Sequence, residues 1–313
     1  MKNNKPARFD NSSAASQTSS TQLIEELRPG QSLELLKELH ILTRDGKLNQ
    51  DTRRKLKQVY HLYQFIEPLL EDVSARQAAP TLADHGAGKS YLGFILYDLF
   101  YRVARPTATA GHIYGIETRT ELVEKSRALA SRLGFARMSF LNLSVKQATA
   151  SEDLPARIDI VTALHACDTA TDDAIAFGLA RQARHLVLVP CCQAEVAGVL
   201  KKGKALSLST TPLAELWRHP LHTREFGSQI TNVLRCLQLE AHGYQVTVTE
   251  LVGWEHSMKN ELILASLPDK AQPAKIQAAK LRLTEVLHAL GLQELTERFG
   301  GTRELGSADA QLS

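Results

Sequence analysis

Short apolar runs alternate with amphipathic helical runs from Thr81 to about residue 267. This alternation is typical of a parallel sheet that helices cover on both faces. It predicts an α/β fold with seven strands in one doubly wound sheet, at residues 81–85, 112–117, 138–143, 158–165, 185–190, 244–253 and 260–267. Helices are predicted at residues 89–103, 120–133, 171–182 and 224–242. The last two strands should pair as an antiparallel edge.

Composition separates two flanks from this sheet region, which takes residues 79–268. Residues 1–21 are rich in Ser, Asn and Thr, and we expect them to be disordered. Residues 22–78 carry helical patterns at 33–42 and 52–72 and are predicted to form an N-terminal helical cap over the sheet. Residues 269–313 form a predicted C-terminal helical tail that packs on the domain edge or binds a partner. Its apolar residues at helical spacing are Leu281, Leu283, Val286, Leu287, Leu290 and Leu292.

The overall composition sets only broad bounds on function. The hydrophobic content of 43% and charged content of 23% are ordinary for a globular protein, and the net charge of +3 neither requires nor excludes an anionic partner such as RNA. No apolar run reaches the roughly 18 residues of a membrane helix. The four cysteines lack the spacing of a secreted scaffold. We therefore expect a cytoplasmic protein that does not associate with membranes.

The motif T-L-A-D-H-G-A-G-K-S at residues 81–90 lies where the first predicted strand turns into a helix. It resembles two phosphate-binding motifs without completing either. A P-loop requires its first glycine where Ala83 stands. A dinucleotide fingerprint requires its third glycine, which allows close packing of helix on strand, where Tyr91 stands. Both interpretations therefore fail on a residue that the chemistry needs.

A D-x-G-x-G pattern remains, formed by Asp84, Gly86 and Gly88. Its glycines let the backbone approach a ligand, and a helix that opens at Lys89 or Ser90 would turn its free N–H groups toward that ligand. These features predict a binding site for an adenosyl cofactor.

A second acid supports this interpretation. Glu117 ends the second predicted strand, and a carboxylate at a strand end can accept both hydroxyls of a ribose. Its distance from the glycine turn exceeds the roughly 20 residues usual for dinucleotide sites, which we attribute to a long first helix and the loop at 106–111. The alternative is a solvated strand end. With Asp84 upstream we favour the ribose ligand. The D-x-G-x-G motif resembles the arrangement that holds the methionine end of S-adenosylmethionine in class I methyltransferases.

Histidine and cysteines follow the fourth and fifth strands, in L-H-A-C-D-T-A-T-D at 164–172 and P-C-C-Q at 190–193. In an open α/β sheet the ligand lies outside the carboxyl ends of the strands. If these two strands are neighbours, both segments face the same crevice. The side chains that would converge there are His165, Cys167, Asp168, Cys191, Cys192 and Gln193.

Four interpretations of this cluster remain open. Tetrahedral zinc is one, but the H-x-C and C-C spacings differ from those of C-x-x-C sites, and we predict no metal. A cysteine nucleophile is another, although it requires a thiolate of lowered pKa that no sequence feature indicates. A third is packing by the cysteines, with Asp168 or Thr171 capping the next helix. We favour the fourth, in which Asp168 or His165 orients the methyl acceptor or takes its proton.

These motifs resemble a class I methyltransferase-like family, the methyltransferase domain of the glutathione S-transferase C-terminal-domain-containing protein and its relatives. They are more distantly similar to the tRNA 2′-O-methyltransferases of the acceptor stem. The resemblance covers about residues 54–267, with Lys259 and Asn260 among the matching positions. It implies a Rossmann-like methyltransferase sheet and an RNA substrate, tRNA or rRNA. It also implies S-adenosylmethionine binding by Asp84, Gly86, Gly88 and Glu117, with Asp168, Cys191 and Cys192 near the acceptor. From its place after the fourth strand we expect His165 to serve both as a cofactor ligand and as a catalytic residue.

The sequence departs from this group in informative places. No Asn/Asp-Pro-Pro-aromatic motif follows the fourth strand, so that device for methylating a base amino group is missing. No zinc-finger segment like that of the tRNA enzymes is found. Residues 193–222 show no clean period and hold Lys201, Lys202 and Lys204, which predicts a substrate-facing insertion. The rival hypotheses are a binding protein of this fold without turnover and a methyltransferase of a small-molecule or protein acceptor.

Overall fold

The computed structural model describes residues 26–105, 110–164, 168–190, 194–203, 212–251 and 261–300. Its strands are β1 Thr81–His85, β2 His112–Glu117, β3 Met138–Asn142, β4 Ile160–Leu164, β5 His185–Val189, β6 Gln245–Glu250 and β7 Glu261–Ser266. Its α-helices are α1 Leu33–Glu38, α2 Gln50–Arg76, α3 Tyr91–Leu96, α4 Thr120–Arg132, α5 Val145–Ala150, α6 Thr169–Ala180, α7 Glu195–Gly203, α8 Pro220–Ala241, α9 Pro273–Ala289 and α10 Thr296–Gly300. Among these residues no helix is long and apolar enough to cross a membrane.

The described strands form one seven-stranded sheet in the order β3-β2-β1-β4-β5-β7-β6. Strands β1 to β5 pair in parallel, whereas β7 runs antiparallel to both β5 and β6. The predicted doubly wound sheet and its antiparallel edge are therefore confirmed. Because β1 pairs with β2 on one side and β4 on the other, the strand order reverses at β1, where open sheets form their ligand crevice.

The N-terminal helices cover one face of this sheet. The 27-residue α2 buries Tyr63, Ile66 and Leu70 in the same core cluster as Leu82 of β1 and Ile113 of β2. Burial of an apolar helical stripe on an apolar sheet face is the main stabilising contribution here.

A buried carboxylate holds the start of this cap. Asp98 is fully buried and accepts a hydrogen bond from the Ser32 N–H at 3.0 Å. Arg102 pairs with Asp98 and donates to the Gly30 carbonyl at 2.6 Å. These bonds fix the entry to α1 against the segment that follows α3.

A polar cluster fastens the far end of α2 to the amino end of the sheet. His185 of β5 is bonded to Ser266 Oγ of β7 at 2.7 Å and to Asp72 Oδ2 of α2 at 3.0 Å. Arg184 donates to both Asp72 and Asp269, at 2.7 and 2.8 Å. Burial raises the pKa of Asp72, but the hydrogen bonds from Arg184, Arg76 and His185 lower it to about 2.

The C-terminal helices pack on α8 through a third apolar cluster. Leu283 and Leu287 of α9, Leu292 and Phe299 contact this cluster, which also contains Leu234 of α8. The predicted tail helix therefore packs on the domain edge. Leu281 differs from its neighbours because it is 56% exposed.

The segment 193–222, which shows no clean period in the sequence, contains regular structure. Helix α7 spans Glu195–Gly203, a 3-10 helix spans Pro212–Trp217, and α8 already begins at Pro220. Helix α7 is too short for a periodic pattern to emerge from sequence. It is stabilised by burial of Val196 and Leu200 in the cluster formed with α8.

Helices α7 and α8 approach each other at Gly227, which generates a prediction. A Cβ at Gly227 would lie 2.6 to 2.7 Å from Cβ, Cα and N of Ala197. We expect Gly227→Ala to lower the free energy of unfolding by ~1–3 kcal/mol, because backbone atoms must move apart. Thermal and urea unfolding measure the change.

The matched control is Gly198→Ala in α7. A Cβ at Gly198 would meet no atom within 4 Å. Replacing an exposed helical glycine with alanine should stabilise the protein by up to ~1 kcal/mol. Equal effects of the two substitutions would contradict the predicted close packing.

Candidate functional site

The glycine turn leaves the carboxyl end of β1 in a conformation that requires glycine. Gly86 and Gly88 have φ values of +67° and +58°, in the left-handed region. A Cβ on Gly86 would meet no atom within 4 Å, so space for a ligand lies beside it. The Ala87 N–H donates to the Ile116 carbonyl at 3.0 Å, which ties the turn to β2.

The predicted helix start at Lys89 or Ser90 is wrong. Ser90 has a φ of +50° and cannot belong to a right-handed first turn, so α3 begins at Tyr91. The predicted helix 89–103 is α-helical to Leu96 and continues as a π-helix over Tyr97–Ala104. Lys89 is exposed on the turn.

Asp84 is a buried acid at the end of β1. In the sheet it lies between Gly115 of β2 and Thr162 of β4, and it is 3% exposed. The Thr162 hydroxyl donates to its Oδ1 at 2.8 Å, the one side-chain donor to Asp84 among the described residues. Burial raises the pKa of this carboxyl to about 7, against the smaller opposing effect of Thr162. The group is therefore held ready to ionise near neutral pH.

Glu117 is the corresponding acid at the end of β2, and its environment has the opposite effect. The carboxylate accepts hydrogen bonds from the Gly88 N–H at 2.8 Å and from the Arg119 backbone N–H at 3.1 Å. Arg119 also binds both oxygens through Nε and Nη2, at 3.1 and 3.0 Å. Burial alone raises the pKa of Glu117, but these bonds lower it to about 2. Glu117 is therefore a permanent carboxylate.

His85 lies between Asp84 and Gly86 and was not singled out by sequence reasoning. Its imidazole is buried and packs near the Phe177 ring at 5.8 Å, and neither ring nitrogen has a hydrogen-bond partner among the described residues. Burial lowers the pKa of His85 to about 4, so the ring is neutral at pH 7. Nothing in the residue pattern distinguishes this histidine from an exposed one.

Asp168 follows β4 and connects two loops of the site. Its backbone has φ 51° and ψ −120°, an unusual conformation for a non-glycine residue. It occupies the N-cap position of α6 without a side-chain capping bond, so the suggestion that it caps the next helix is wrong. Its Oδ1 instead accepts from the N–H groups of Ala194 and Glu195 at 3.0 and 3.4 Å, where α7 begins. The segments after β4 and β5 are thereby joined.

A buried ion pair supports the position of Asp168. Arg235 of α8 is fully buried and binds both carboxylate oxygens of Asp172, at 2.6 and 3.0 Å. The same guanidinium donates to the Asp168 carbonyl at 2.8 Å and to Asn232 Oδ1 at 3.1 Å. A fully satisfied buried pair of this kind holds a backbone in a fixed place. The sequence signal is an arginine inside an apolar helical pattern.

The remaining predicted site residues lie outside the described ranges: His165, Cys167, Cys191, Cys192 and Gln193. The condition for their convergence is met, because β4 and β5 are neighbours in parallel register. Within the described residues no group of three or more His, Cys, Asp or Glu could hold a metal ion. Cys236 of α8 is described, and burial raises the pKa of its thiol to about 12, so it is not a nucleophile.

Residues 54–199, just under half of the chain, match the model of a family described as Methyltransferase domain. A search of curated proteins finds no significant match. The matched segment contains β1 to β5 and also Asp84, Glu117 and Asp168.

Several solved methyltransferases are similar in structure. A putative O-methyltransferase from Klebsiella pneumoniae is 13% identical with a TM-score of 0.45, covering 78% of this chain and 94% of that one. Magnesium protoporphyrin IX methyltransferase from Synechocystis PCC 6803 is 15% identical with a TM-score of 0.41, covering 75% and 93%. An rRNA methylase from Streptococcus thermophilus is 9% identical with a TM-score of 0.36, covering 61% and 89%. Likeness at this level does not identify an acceptor.

The strand order, the glycine turn and the family match agree with one another. The chain has a Rossmann-like methyltransferase fold, and its described site lies at the carboxyl ends of β1, β2 and β4. Together these findings support S-adenosylmethionine as the cofactor of the domain.

The raised pKa of Asp84 predicts an unusual pH dependence of stability. The folded state retains a proton that the unfolded state releases near pH 4, so stability should fall as pH rises from about 4 to about 7 and stay level above it. The Asp84→Asn substitution removes this loss of stability, because an amide does not ionise. At pH 8 we expect the variant to be more stable by on the order of 2 kcal/mol, allowing for its unpaired amide.

Thermal melts of both proteins between pH 5 and pH 8 measure the effect, with the exposed Asp153→Asn as the control. The stability difference between Asp84→Asn and wild type should narrow toward pH 5. Parallel pH profiles would show that the Asp84 carboxyl ionises normally.

Proposed function

We propose that this protein is an S-adenosylmethionine-dependent methyltransferase whose acceptor is RNA, either tRNA or rRNA. The observation that supports it most directly is the pair of acids at the ends of adjacent strands with the glycine turn between them. Asp84 and Glu117 are both buried, and the Gly88 N–H already reaches Glu117. Asp84 ionises near neutral pH and Glu117 is fully ionised there, so each suits a different part of the cofactor.

Each described residue has a role that follows from its chemistry. Glu117 suits the two ribose hydroxyls, because a carboxylate accepts two parallel hydrogen bonds. Asp84 suits the positively charged amino group of the methionine moiety, because a nearby cation stabilises the ionised carboxyl. The Gly86–Gly88 turn keeps side chains out of the space between these acids. We also propose that His165, which the sequence predicts as a cofactor ligand, contacts S-adenosylmethionine.

S-adenosylmethionine supplies an electrophilic methyl group, so the protein has mainly to align the acceptor in line with it. We assign that task to the loops after β4 and β5, which Asp168 joins through its bonds to Ala194 and Glu195. His165, Cys191 and Cys192 are proposed to line the acceptor side of the same loops. Asp168 therefore acts first as a positioning residue, and it accepts a proton only if the acceptor is a hydroxyl or an ammonium.

Exposed cations support an anionic acceptor. Lys89 and Arg119 are exposed beside the cofactor acids, and Lys201 and Lys202 are exposed in the last turn of α7. Helix α7 begins at the loop that Asp168 holds, so these lysines lie on an element of the proposed acceptor side. Cations around a cleft attract a polyanion and raise its local concentration.

Calorimetry with S-adenosylmethionine and S-adenosylhomocysteine tests the cofactor assignment. We expect Asp84→Ala and Glu117→Gln each to weaken binding at least about tenfold, since each removes a charge-assisted hydrogen bond of the kind worth ~1.5–3 kcal/mol. The exposed Glu121→Gln on α4 is the matched control and should bind as wild type does. No binding by the wild-type protein would refute the proposal.

Transfer of labelled methyl groups to RNA, protein and small-molecule fractions from cells lacking the protein tests the acceptor. We expect label in RNA, and binding of that RNA should weaken steeply with salt because counterions are released from phosphates. Label in another fraction would replace RNA as the acceptor. Cofactor binding without any transfer would favour a binding protein of this fold.

A further inference from the structure

Arg119 occupies the hydrogen-bonding positions on Glu117 that a ribose would need. Two donors on Glu117 come from the backbone, the N–H groups of Gly88 and Arg119. The other three come from side chains: Nε and Nη2 of Arg119, one on each carboxylate oxygen, and the Thr118 hydroxyl, which donates to Oε1 at 3.3 Å. A carboxylate offers about four lone-pair sites, so these donors occupy all of them.

The two kinds of donor differ in how easily they can leave. The Gly88 and Arg119 amides belong to the turn and to the start of α4, where the backbone is fixed by bonds such as Leu122 N–H to the Arg119 carbonyl at 3.0 Å. The guanidinium is on a side chain that is 61% exposed. It lies beside the turn, 3.6 Å from where a Cβ of Gly88 would be. Only the side-chain donors can therefore make room.

The guanidinium also has the right shape for this position. Two parallel N–H groups on one carboxylate present the same donor pattern as the two neighbouring hydroxyls of a ribose. A ribose that binds Glu117 through both hydroxyls must therefore replace both side-chain bonds of Arg119.

We propose that Arg119 is an internal competitor of the cofactor ribose, a latch that rests on Glu117 and must swing away before S-adenosylmethionine binds fully. The proposal rests on the cofactor function proposed above. The latch keeps the buried Glu117 paired while the ribose is not on it, which avoids an unsatisfied buried charge. Because an exposed ion pair is weak, the latch lowers cofactor affinity by a small factor and does not prevent binding.

The latch makes an uncommon prediction, that removing a charged residue beside the site strengthens ligand binding. Calorimetry with S-adenosylhomocysteine should show that Arg119→Ala binds about two- to fivefold more tightly than wild type, the range expected for an exposed ion pair. Arg132→Ala is the matched control, since Arg132 is half-exposed and paired with Glu38 at 2.8 Å away from the site. It should bind as wild type does.

A double-mutant cycle shows whether the gain acts through Glu117. On a Glu117→Gln background, Arg119→Ala should give no further gain, because the ion pair no longer exists. Raising salt from about 0.1 M to about 1 M, which shortens the Debye length from about 10 to about 3 Å, should strengthen binding to wild type more than to Arg119→Ala.

The outcomes separate the two proposals. Wild-type binding with unchanged or weaker binding by Arg119→Ala overturns the latch alone and makes Arg119 a bystander or a ligand contact. A gain that persists on the Glu117→Gln background also overturns it. No binding by wild type overturns the proposed function and the latch with it.

Discussion

The site depends on the position of β1, which pairs in parallel with β2 on one side and β4 on the other. A strand in the middle of a covered sheet is buried on both faces. Because the strand order reverses at β1, the chain leaves adjacent strands toward opposite sides, and a crevice forms at their carboxyl ends. That geometry brings Asp84, Glu117 and Thr162 into one small region although they are far apart in sequence. The loops after β4, and after its parallel neighbour β5, are then forced to the same edge.

Buried polar groups accumulate at this edge of the sheet at a cost in stability. In the described part of the chain, the buried Asp84 has a single side-chain donor and the buried His85 imidazole has no hydrogen-bond partner. The buried Asp172–Arg235 pair nearby is, in contrast, well bonded. Unsatisfied groups of this kind are typical of sites that complete their bonding with a ligand. The two acids of the site then differ in charge state, because burial dominates at Asp84 whereas hydrogen bonds from Arg119 and Gly88 stabilise the carboxylate of Glu117.

Sequence reasoning predicted the sheet well because its signals are local. Each buried strand is a short apolar run, and all seven observed strands lie within or nearly within the predicted bounds. Local signals failed where a conformation depends on neighbours in space. The left-handed Ser90 moved the start of α3, and α7 is stabilised by burial against α8. For the same reason the bond from Asp168 to the start of α7 could not be predicted, since its partner Ala194 follows another strand.

The sequence by itself determined which residues could serve the site, because residue type, glycine position and strand ends are properties of the chain. It identified Asp84, the two glycines and Glu117 as a group. Only the tertiary structure decided the state of each, because pKa and hydrogen bonding depend on burial and on partners brought by other strands. Thr162 reaches Asp84 from β4, the Gly88 amide reaches Glu117 from the β1 turn, and Arg119 folds back over that carboxylate. The chemical character of the D-x-G-x-G motif is thus a property of the assembled sheet.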